Sequence, residues 1–475
     1  MNAIIVDFPD LSLYNLLHDI KEINISAICV PFEKERNQLK ETNANLNIYT
    51  WDDVVTWNQT HVSVNDINKD AHTQLKVDRY YARYSNIYGV TSSLYYHSLA
   101  FWNHILNDDI SVIFIADQEH GIPVDSIPLS IAKEKGILAY TFEPIFAVNE
   151  DTGLYSIHNY NRGYYVDISD APTPSKNIDI SNTLFSKDTH HQTKKHNNTK
   201  KILSTLSISL KKKYLSKKKE NYFGIPRDVQ IVKSLSNIMH LWRIKLYYNM
   251  HSIKKIPKND KYVLYALHFE PEATIMNRTT FNSQIHNIEM LSKALPEGWT
   301  LYVKEHPDQL HIDFLIKNKF IDDNLSTYRS KLYYNRILTI PNVKLLDYRI
   351  PSSKLMDSYN YNRLGERNGL KAVATINGTI SIEAIHRKIP VILFDKASMP
   401  YNDINDIPVI NSYEDLYKYM KKIESPNFSP TYHEYNDKVS KYLISYSRNV
   451  GFSIESTEFE RVINKEFDIN NNGEI

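Results

Sequence analysis

Cysteine is nearly absent from this sequence, and so are several common active-site signatures. Cys29 is the only cysteine among 475 residues, so the chain cannot form an internal disulfide, which fits a reducing compartment. No apolar run approaches the roughly 18 residues that suggest a membrane span, and the first residues lack the basic start and cleavage site of a signal peptide. We therefore expect a cytoplasmic protein. Walker, GxGxxG, CxxC and HExxH patterns are also missing, which argues against zinc and nicotinamide enzymes.

Charge is balanced over the whole chain but not along it. The net charge is +1, which gives no general attraction to nucleic acid or to a membrane. Eleven lysines fall between Lys187 and Lys219, however, and no acid lies between Asp188 and Glu220. Such a run is typical of a solvated linker, and equally of a segment that contacts anionic lipid, where each lysine adds about 1 kcal/mol. No nucleic-acid-binding module accompanies the lysines, so we expect no nucleic-acid partner.

Strand-like and helix-like segments alternate in two parts of the chain, which is typical of Rossmann-like domains with parallel sheets. We predict an α/β fold of GT-B type: two Rossmann-like domains facing a central cleft, with C-terminal helices that cross back to the first domain. The predicted boundaries are 1–185 for the first domain, 186–258 for the lysine-rich linker and a long helix, 259–430 for the second domain and 431–475 for the crossover helices. The long helix, 229–253, has apolar positions at Ile231, Leu235, Ile238, Leu241 and Leu246.

Three predicted strands of the second domain end in polar clusters. The clusters are His268-Phe269-Glu270-Pro271-Glu272, Lys304-Glu305-His306-Pro307 and Asn377-Gly378-Thr379-Ile380-Ser381. Ligands bind at the carboxyl edge of parallel α/β sheets, so we expect a site there.

The third cluster can hold a phosphate. Gly378 lets the backbone approach a ligand, helix-start N–H groups favour an anion, and the hydroxyls of Thr379 and Ser381 add donors. A plain helix N-cap explains the same residues. His306, before Pro307, can donate to a phosphate or act as an acid or base, although a strand-end histidine is often only structural. Because both clusters lie at one edge, together they favour phosphate more than either does alone.

Carboxylates near this edge could take part in chemistry at a sugar. Glu270 and Glu272 suit a general base or nucleophile beside an oxocarbenium-like centre, or else a solvated loop or helix cap. Strand-end residues of the first domain would face the same cleft, and for any one of them a surface-loop position is the simpler interpretation. They are Asp117, Glu119, His120 and Glu143.

These motifs resemble those of the capsule-polysaccharide biosynthesis family of GT-B glycosyltransferases, which includes Kdo transferases and transferases of nonulosonic acids such as pseudaminic acid. The likeness is carried by Tyr265–Thr274, Ala294–Trp299, Tyr302–Pro307 and the Asn-Gly-Thr-x-Ser-x-Glu-Ala pattern that begins at Asn377. It is strong over about 260–396 and only general in the first domain.

The resemblance implies a metal-independent transferase without a cofactor, which uses a CMP-activated sugar as donor. By that likeness His306, Thr379 and Ser381 would bind the CMP phosphate, and Glu272 would be the leading carboxylate in the reaction. Glu270 stands where the family pattern has glutamine, which argues against an essential role for it. The acid-acid-Gly motif of sialyltransferases is absent from the first domain, where Gln118-Glu119-His120-Gly121 is nearest to it, and this leaves the catalytic base and the inverting or retaining outcome open. The full predicted donor site is His268, Lys304, His306, Pro307, Asn377, Gly378, Thr379, Ser381 and Glu383, and the catalytic candidates are Glu272, Glu119, Asp117, His120 and Glu270.

The sequence thus predicts transfer of a Kdo-like or nonulosonic (sialic, pseudaminic or legionaminic type) acid to a surface polysaccharide or lipid-linked glycan. The enzyme would contact the inner membrane face through Lys187–Lys219. Three alternatives stay open on the same scaffold: a UDP-sugar 2-epimerase-like enzyme, a CDP-polyol phosphotransferase, and a non-catalytic glycan assembly subunit.

Overall fold

The computed structural model describes most of both predicted domains. The described residues are 1–7, 11–43, 45–63, 65–66, 71–83, 88–117, 119–147, 152–168, 230–271, 275, 283–317, 324–362, 369–395, 407–425, 428, 430, 441–447, 451–452 and 456–472. The lysine-rich run 187–219 and the catalytic candidate Glu272 lie outside these ranges, so the predictions for them stay predictions. Within the ranges, no helix is both long and apolar enough to cross a membrane.

The first sheet has nine strands in the described residues. They are β1 Asn2–Val6, β2 Asn24–Val30, β3 Asn47–Thr50, β4 Val112–Ile115, β5 Leu138–Ala147, β6 Thr152–Asn159, β7 Tyr164–Tyr165, β13 Ile444–Ser447 and β14 Gly451–Phe452. Their order is β14-β13-β6-β5-β4-β1-β2-β3, with β7 paired to β6. The strands from β3 to β5 are parallel, and β6, β7, β13 and β14 are added antiparallel.

The second sheet has five parallel strands. They are β8 Lys261–Ala266, β9 Trp299–Lys304, β10 Val343–Leu346, β11 Gly369–Thr375 and β12 Val391–Leu393, in the order β10-β9-β8-β11-β12. In both sheets the first five strands in chain order therefore follow the arrangement 3-2-1-4-5. The chain changes direction across the sheet between the first and fourth of these strands, and such a switch point opens a crevice for ligands.

Helices cover both faces of the two sheets. The described helices are α1 Ser12–Leu17, α2 Glu33–Thr42, α3 Trp51–Val55, α4 Ala71–Ala82, α5 Tyr88–Ile105, α6 Ser126–Lys135, α7 Gln230–His251, α8 Gln284–Ala294, α9 Ile312–Lys317, α10 Leu325–Tyr328, α11 Lys331–Leu338, α12 Ser352–Asn362, α13 Ile380–His386, α14 Tyr413–Glu424 and α15 Ser456–Asn472. Successive residues of β8 alternate between two core clusters: Val263 and Tyr265 enter one, Tyr262 and Leu264 the other. Strands buried on both faces explain the continuous apolar runs in the sequence.

The predicted α/β architecture with two Rossmann-like domains and a C-terminal return to the first domain is confirmed. The return differs in detail, because residues 444–447 and 451–452 are strands rather than the expected helix, and α15 is the helix found among the described residues after 430. Phe459 of α15 packs against Phe142 of β5. Strand β5 also runs on through Glu143, which was expected at a strand end.

Helix α7 confirms the predicted long helix, but not all of its apolar positions are buried. Leu246 is 63% exposed, whereas Ile244 and Tyr248 are buried with Leu241. The apolar pattern alone could not choose the buried face, because apolar residues lie on more than one side of this helix.

Candidate functional site

The carboxyl ends of β8 and β11 meet at the switch point of the second sheet, and His268 joins them. The backbone N–H of Asn377 donates to His268 Nε2 at 3.3 Å, and Thr375 Oγ1 lies 3.0 Å from the same nitrogen. A backbone N–H can only donate, so Nε2 is the acceptor and a neutral ring carries its proton on Nδ1. His268 is buried. It was predicted to bind the donor, and the structure shows that it fixes the turn after β11.

The turn after β11 requires a glycine for reasons of space. A Cβ added at Gly378 would lie 3.0 Å from Thr375 Oγ1 and 3.2 Å from His268 Cε1 and Nε2. The hydroxyl of Ser381 is buried and donates to the carbonyl of Gly378 at 2.7 Å, so it stabilises the turn from within. Thr379 is exposed at the start of α13, and its side chain makes no capping bond. Of the two hydroxyls predicted to bind phosphate, only that of Thr379 lies at the surface.

Two buried donors near this edge have no acceptor among the described residues. Asn377 is 3% exposed, and its Nδ2 makes no hydrogen bond. Lys304, at the end of β9, is 4% exposed, and no ion pair or hydrogen bond of its Nζ is found within the described ranges. Burial lowers the pKa of Lys304 to about 8, although the nearby carboxylates of Glu305, Glu383 and Asp347 act in the opposite direction. An unsatisfied buried donor is unfavourable, so an acceptor beside Asn377 Nδ2 would stabilise this edge.

His306 lies on the far side of β8 from the glycine turn. Its side chain is 40% exposed, and its Nδ1 accepts the backbone N–H of Asp308 at 3.3 Å, at the start of a 3-10 turn, Pro307–Leu310. A neutral ring in this geometry carries its proton on Nε2. Because β8 separates β9 from β11, the two strands are about 10 Å apart, so His306 and the turn lie at one edge of the sheet but not on neighbouring strands. A ligand would have to cross the end of β8 to reach both.

Arg329, a buried arginine that was not among the predicted site residues, stabilises this edge of the second sheet. Arg329 donates through Nε to Glu305 Oε2 at 2.7 Å, through NH2 to the carbonyl of His268 at 2.9 Å, and through NH1 to Glu270 Oε2. Tyr334 adds a 2.6 Å hydrogen bond to the fully buried Glu305. Arg329 therefore ties the segments after β8 and β9 together.

This network changes the interpretation of Glu270. Its carboxylate accepts from Arg329 and, at 2.8 Å, from Gln284, and its backbone N–H donates to Gln309 at 2.8 Å. The structure therefore assigns Glu270 to the scaffold of the site. In the sequence, the one indication of a buried cation near this site was Glu305, the acid next to His306. A carboxylate buried at a strand end needs a positively charged partner.

The remaining second-domain candidates lie at the border of the site. Pro307 is the first residue of the 3-10 turn. Glu383, on α13, is partly buried, and its carboxylate lies 4.0 Å from the guanidinium of Arg387. No cluster of three or more His, Cys, Asp or Glu side chains suited to a metal ion is present in the described ranges.

In the first domain, the cluster after β4 pairs two cations with three carboxylates. Glu119 is buried and accepts from Lys76 Nζ at 2.7 Å. His120 Nε2 lies 3.6 Å from Asp117 and its Nδ1 lies 3.5 Å from Asp125. Burial alone would lower the pKa of His120, but the two carboxylates outweigh it and raise the pKa to about 9. His120 is therefore an imidazolium at neutral pH and cannot serve as a base there.

Asp117 is the carboxylate of this cluster that is best placed to act on a ligand. Its side chain is 22% exposed, while Glu119 and Asp125 are almost fully buried. Asp125 accepts the backbone N–H groups of His120 and Ile122 at 2.9 and 3.0 Å, which makes it a loop-stabilising residue.

The two clusters are connected through a short contact between the domains. The backbone N–H of Asn324 donates to the carbonyl of Arg83, just after α4, at 2.8 Å. Asn324 begins α10, and the carbonyl of Leu325 accepts the backbone N–H of Arg329 at 3.1 Å. Helix α4 also carries Lys76, the partner of Glu119. A few residues thus lead from the first-domain cluster to the Arg329 network.

Comparisons with known proteins find similarity only among solved structures. No protein-family model and no curated protein matches the sequence. The chain is similar to Thermosulfurimonas dismutans KpsC, a beta Kdo 2,7 transferase, with 9% identity over 93% of this chain and 100% of that chain and a TM-score of 0.32. It is similar to the UDP-GlcNAc 2-epimerase of Methanocaldococcus jannaschii in complex with UDP-GlcNAc and UDP, with 13% identity over 93% of this chain and 98% of that chain and a TM-score of 0.26. It is also similar to the wall teichoic acid polymerase TagF, with 11% identity over 98% of this chain and 90% of that chain and a TM-score of 0.20. At these low identities and TM-scores, the similarity does not show what this chain does.

Proposed function

We propose that this protein is a glycosyltransferase of GT-B type that takes a Kdo-like or nonulosonic acid from its CMP ester. The observation that carries the proposal is two buried polar side chains at the carboxyl edge of the second sheet: Asn377, whose Nδ2 has no acceptor among the described residues, and Lys304, at the end of β9. A phosphate group supplies several acceptor oxygens and a negative charge, which suit an amide donor and an ammonium group.

The donor phosphate would lie across the end of β8. Lys304 would approach it from the side of β9 together with His306, and Asn377 and Thr379 would approach it from the side of β11. Donors on both sides of the phosphate would stabilise the charge that develops on it as it leaves the sugar. The turn itself is held rigid by His268, Ser381 and Arg329, so little reorganisation is needed when the bond breaks.

The reaction would form a bond between an acceptor hydroxyl oxygen and the anomeric carbon and break the bond from that carbon to the phosphate oxygen. CMP leaves with the electron pair, and the hydroxyl proton passes to a carboxylate. We assign this proton to Asp117, with imidazolium His120 holding the carboxylate in place. The sequence-based candidate Glu272 is the competing assignment.

Nucleotide binding to the full-length protein tests the donor site. We expect CMP to raise the melting temperature, because a ligand that binds only the folded state stabilises it by mass action. Lys304→Met and His306→Ala should each weaken CMP binding about 10- to 100-fold, the value of a lost charge-assisted hydrogen bond. Lys344→Met is the matched control, since Lys344 lies on neighbouring β10 but is exposed. The proposal fails if Lys304→Met binds CMP as well as the unmodified protein.

The choice of nucleotide and the release of product separate the alternatives. A larger shift with UDP would indicate an epimerase-like enzyme, and a larger shift with CDP would indicate a polyol phosphotransferase. Binding of CMP without release of CMP from a CMP-sugar in the presence of acceptor would indicate a non-catalytic subunit. Contact of the lysine-rich run 187–219 with anionic lipid belongs to the same proposal and is tested by comparing vesicle binding before and after its deletion.

A further inference from the structure

Helix α7 has apolar side chains on two opposite faces. One face enters the core of the second domain through Leu241, Ile244 and Tyr248. The other carries Met239, Trp242, Leu246 and Met250, which are 59%, 49%, 63% and 71% exposed. We call these four residues the apolar stripe. At about 100° per residue the stripe lies on the side of the helix opposite the buried face, and over the twelve residues from Met239 to Met250 it extends about 16 Å.

The sequence of the helix that carries the apolar stripe, and of the segment after it, has charge of one sign. No acid occurs from Val229 to Asn259, and the basic residues in this interval are Lys233, Arg243, Lys245, Lys254, Lys255 and Lys258. Helix α14 differs from α7, because its solvent-exposed face carries charges of both signs. These residues are Glu414, Asp415, Lys418, Lys421 and Lys422. A helix with exposed tryptophan, leucine and methionine beside lysine and arginine is typical of one that lies in the surface of an anionic bilayer.

The buried face of the same helix contacts the candidate site. Tyr248 donates its hydroxyl to the carbonyl of Leu346 at 2.6 Å and accepts the backbone N–H of Glu305 at 3.1 Å. His240 Nε2 lies 2.7 Å from the carbonyl of Arg329. The apolar stripe is therefore about one helix diameter, or about 10 Å, from the residues that support the candidate phosphate site.

We propose that the apolar stripe docks on an anionic lipid surface, with α7 lying in the plane of the membrane interface. A second copy of the chain is the poorer occupant, because a symmetric contact would bring two acid-free basic helices together without compensating charge. Anionic lipid headgroups satisfy the lysines and arginine while the acyl chains receive the apolar side chains. The inference uses α7 alone and does not depend on the proposed function or on the run 187–219.

Vesicle binding by the full-length protein, without any substrate, tests this inference. Vesicles of phosphatidylcholine mixed with phosphatidylglycerol are compared with vesicles of phosphatidylcholine alone. The variant Trp242→Gln/Leu246→Gln/Met250→Gln should bind the anionic vesicles about tenfold more weakly or worse, because the apolar area that enters the interface is lost. The matched control is Phe32→Gln/Leu75→Gln, which changes two first-domain residues that are 60% and 49% exposed. It should bind like the unmodified protein.

A second measurement does not depend on how the triple variant folds. Lipids brominated on their acyl chains should quench tryptophan fluorescence of the unmodified protein, and Trp242→Phe should remove most of that quenching. Equal vesicle binding by the triple variant, or quenching that persists in Trp242→Phe, would overturn the inference. So would a dimer in lipid-free solution that the triple variant abolishes, because the apolar stripe would then be an interface between two copies.

Discussion

The clusters at the carboxyl edges of the two sheets shift the pKa of a buried basic residue in opposite directions. At the edge of the first sheet, Asp117 and Asp125 outweigh the cost of burial and raise the pKa of His120 to about 9. At the edge of the second, burial outweighs the nearby carboxylates and lowers the pKa of Lys304 to about 8. In the first cluster the carboxylates therefore favour the charged form of the buried group. In the second, Lys304 keeps a lowered pKa in spite of three nearby carboxylates, and perturbed pKa values of this kind cluster at functional sites.

The lowered pKa of Lys304 is local and not a general feature of the second edge. Arg329, at the same edge of the sheet, is paired with both Glu270 and Glu305. The second edge therefore has paired charges that hold the backbone and a buried lysine for which no ion pair is found among the described residues. Because Arg329 holds the backbone and Lys304 is proposed to bind the ligand, we expect their substitutions to have different effects on stability and on binding.

The largest effect is expected from removing the paired cation. Arg329→Met would leave two buried or half-buried carboxylates without their partner, so the free energy of unfolding should fall by about 3–5 kcal/mol. Denaturation in urea measures it. The matched control is Arg336→Met, which removes a 59% exposed guanidinium paired only with Glu289 and should cost at most about 1 kcal/mol. Equal losses for the two variants would mean that the Arg329 network does not hold the edge together.

A smaller effect concerns His120 and the pH dependence of stability. The pKa of His120 is higher in the folded state than its usual 6.5, so the stabilisation is complete below pH 6.5 and is lost as the pH rises through about 9. His120→Gln should remove this decline, which amounts to about 2 kcal/mol for the partly exposed side chain. The slope between pH 6.5 and 9, from urea denaturation, is the measurement. His61→Gln, which changes an exposed histidine of the same domain, should leave the slope as it was.

The sequence could predict which residues reach the two edges, because every parallel strand delivers its last residues to the same side of the sheet. It predicted the clusters after β8, β9 and β11 for this reason. It could not predict that β8 lies between the other two, since strand order depends on which faces pack together. That order separates His306 from the glycine turn and places His268, not a ligand, against Asn377.

The side-chain partners were harder to predict than the strands. Arg329 lies 24 residues from Glu305 and 59 from Glu270, in a segment between short helices with no regular pattern. Nothing local indicates that its side chain is buried. The roles of Ser381 and Glu270 changed for the same reason, because hydrogen-bond partners distant in sequence decide whether a polar group is available to a ligand.

Lys304 gives the opposite slope to His120 in the absence of ligand. The pKa of Lys304 is lower in the folded state than its usual 10.5, so the unfolded chain holds this proton more tightly between pH 8 and 10.5. Stability therefore rises with pH in that window, and Lys304→Met should remove the rise. A profile that is the same in both proteins would show that burial of this lysine has no energetic cost.

The smallest effect is also the most specific, because it requires Lys304 and an anion together. Near pH 8 the lysine is about half protonated in the free protein, and a bound phosphate would raise its pKa, so binding of CMP should take up a fraction of one proton. Calorimetry in buffers of different ionisation enthalpy measures this uptake. Lys304→Met should abolish it and Lys344→Met should retain it. The phosphate itself does not take up this proton, because its second pKa is near 6 and it is already ionised at pH 8. If the uptake persists in Lys304→Met, the proton belongs to a different group. Lys304 would then not be the residue that distinguishes the second edge from the first.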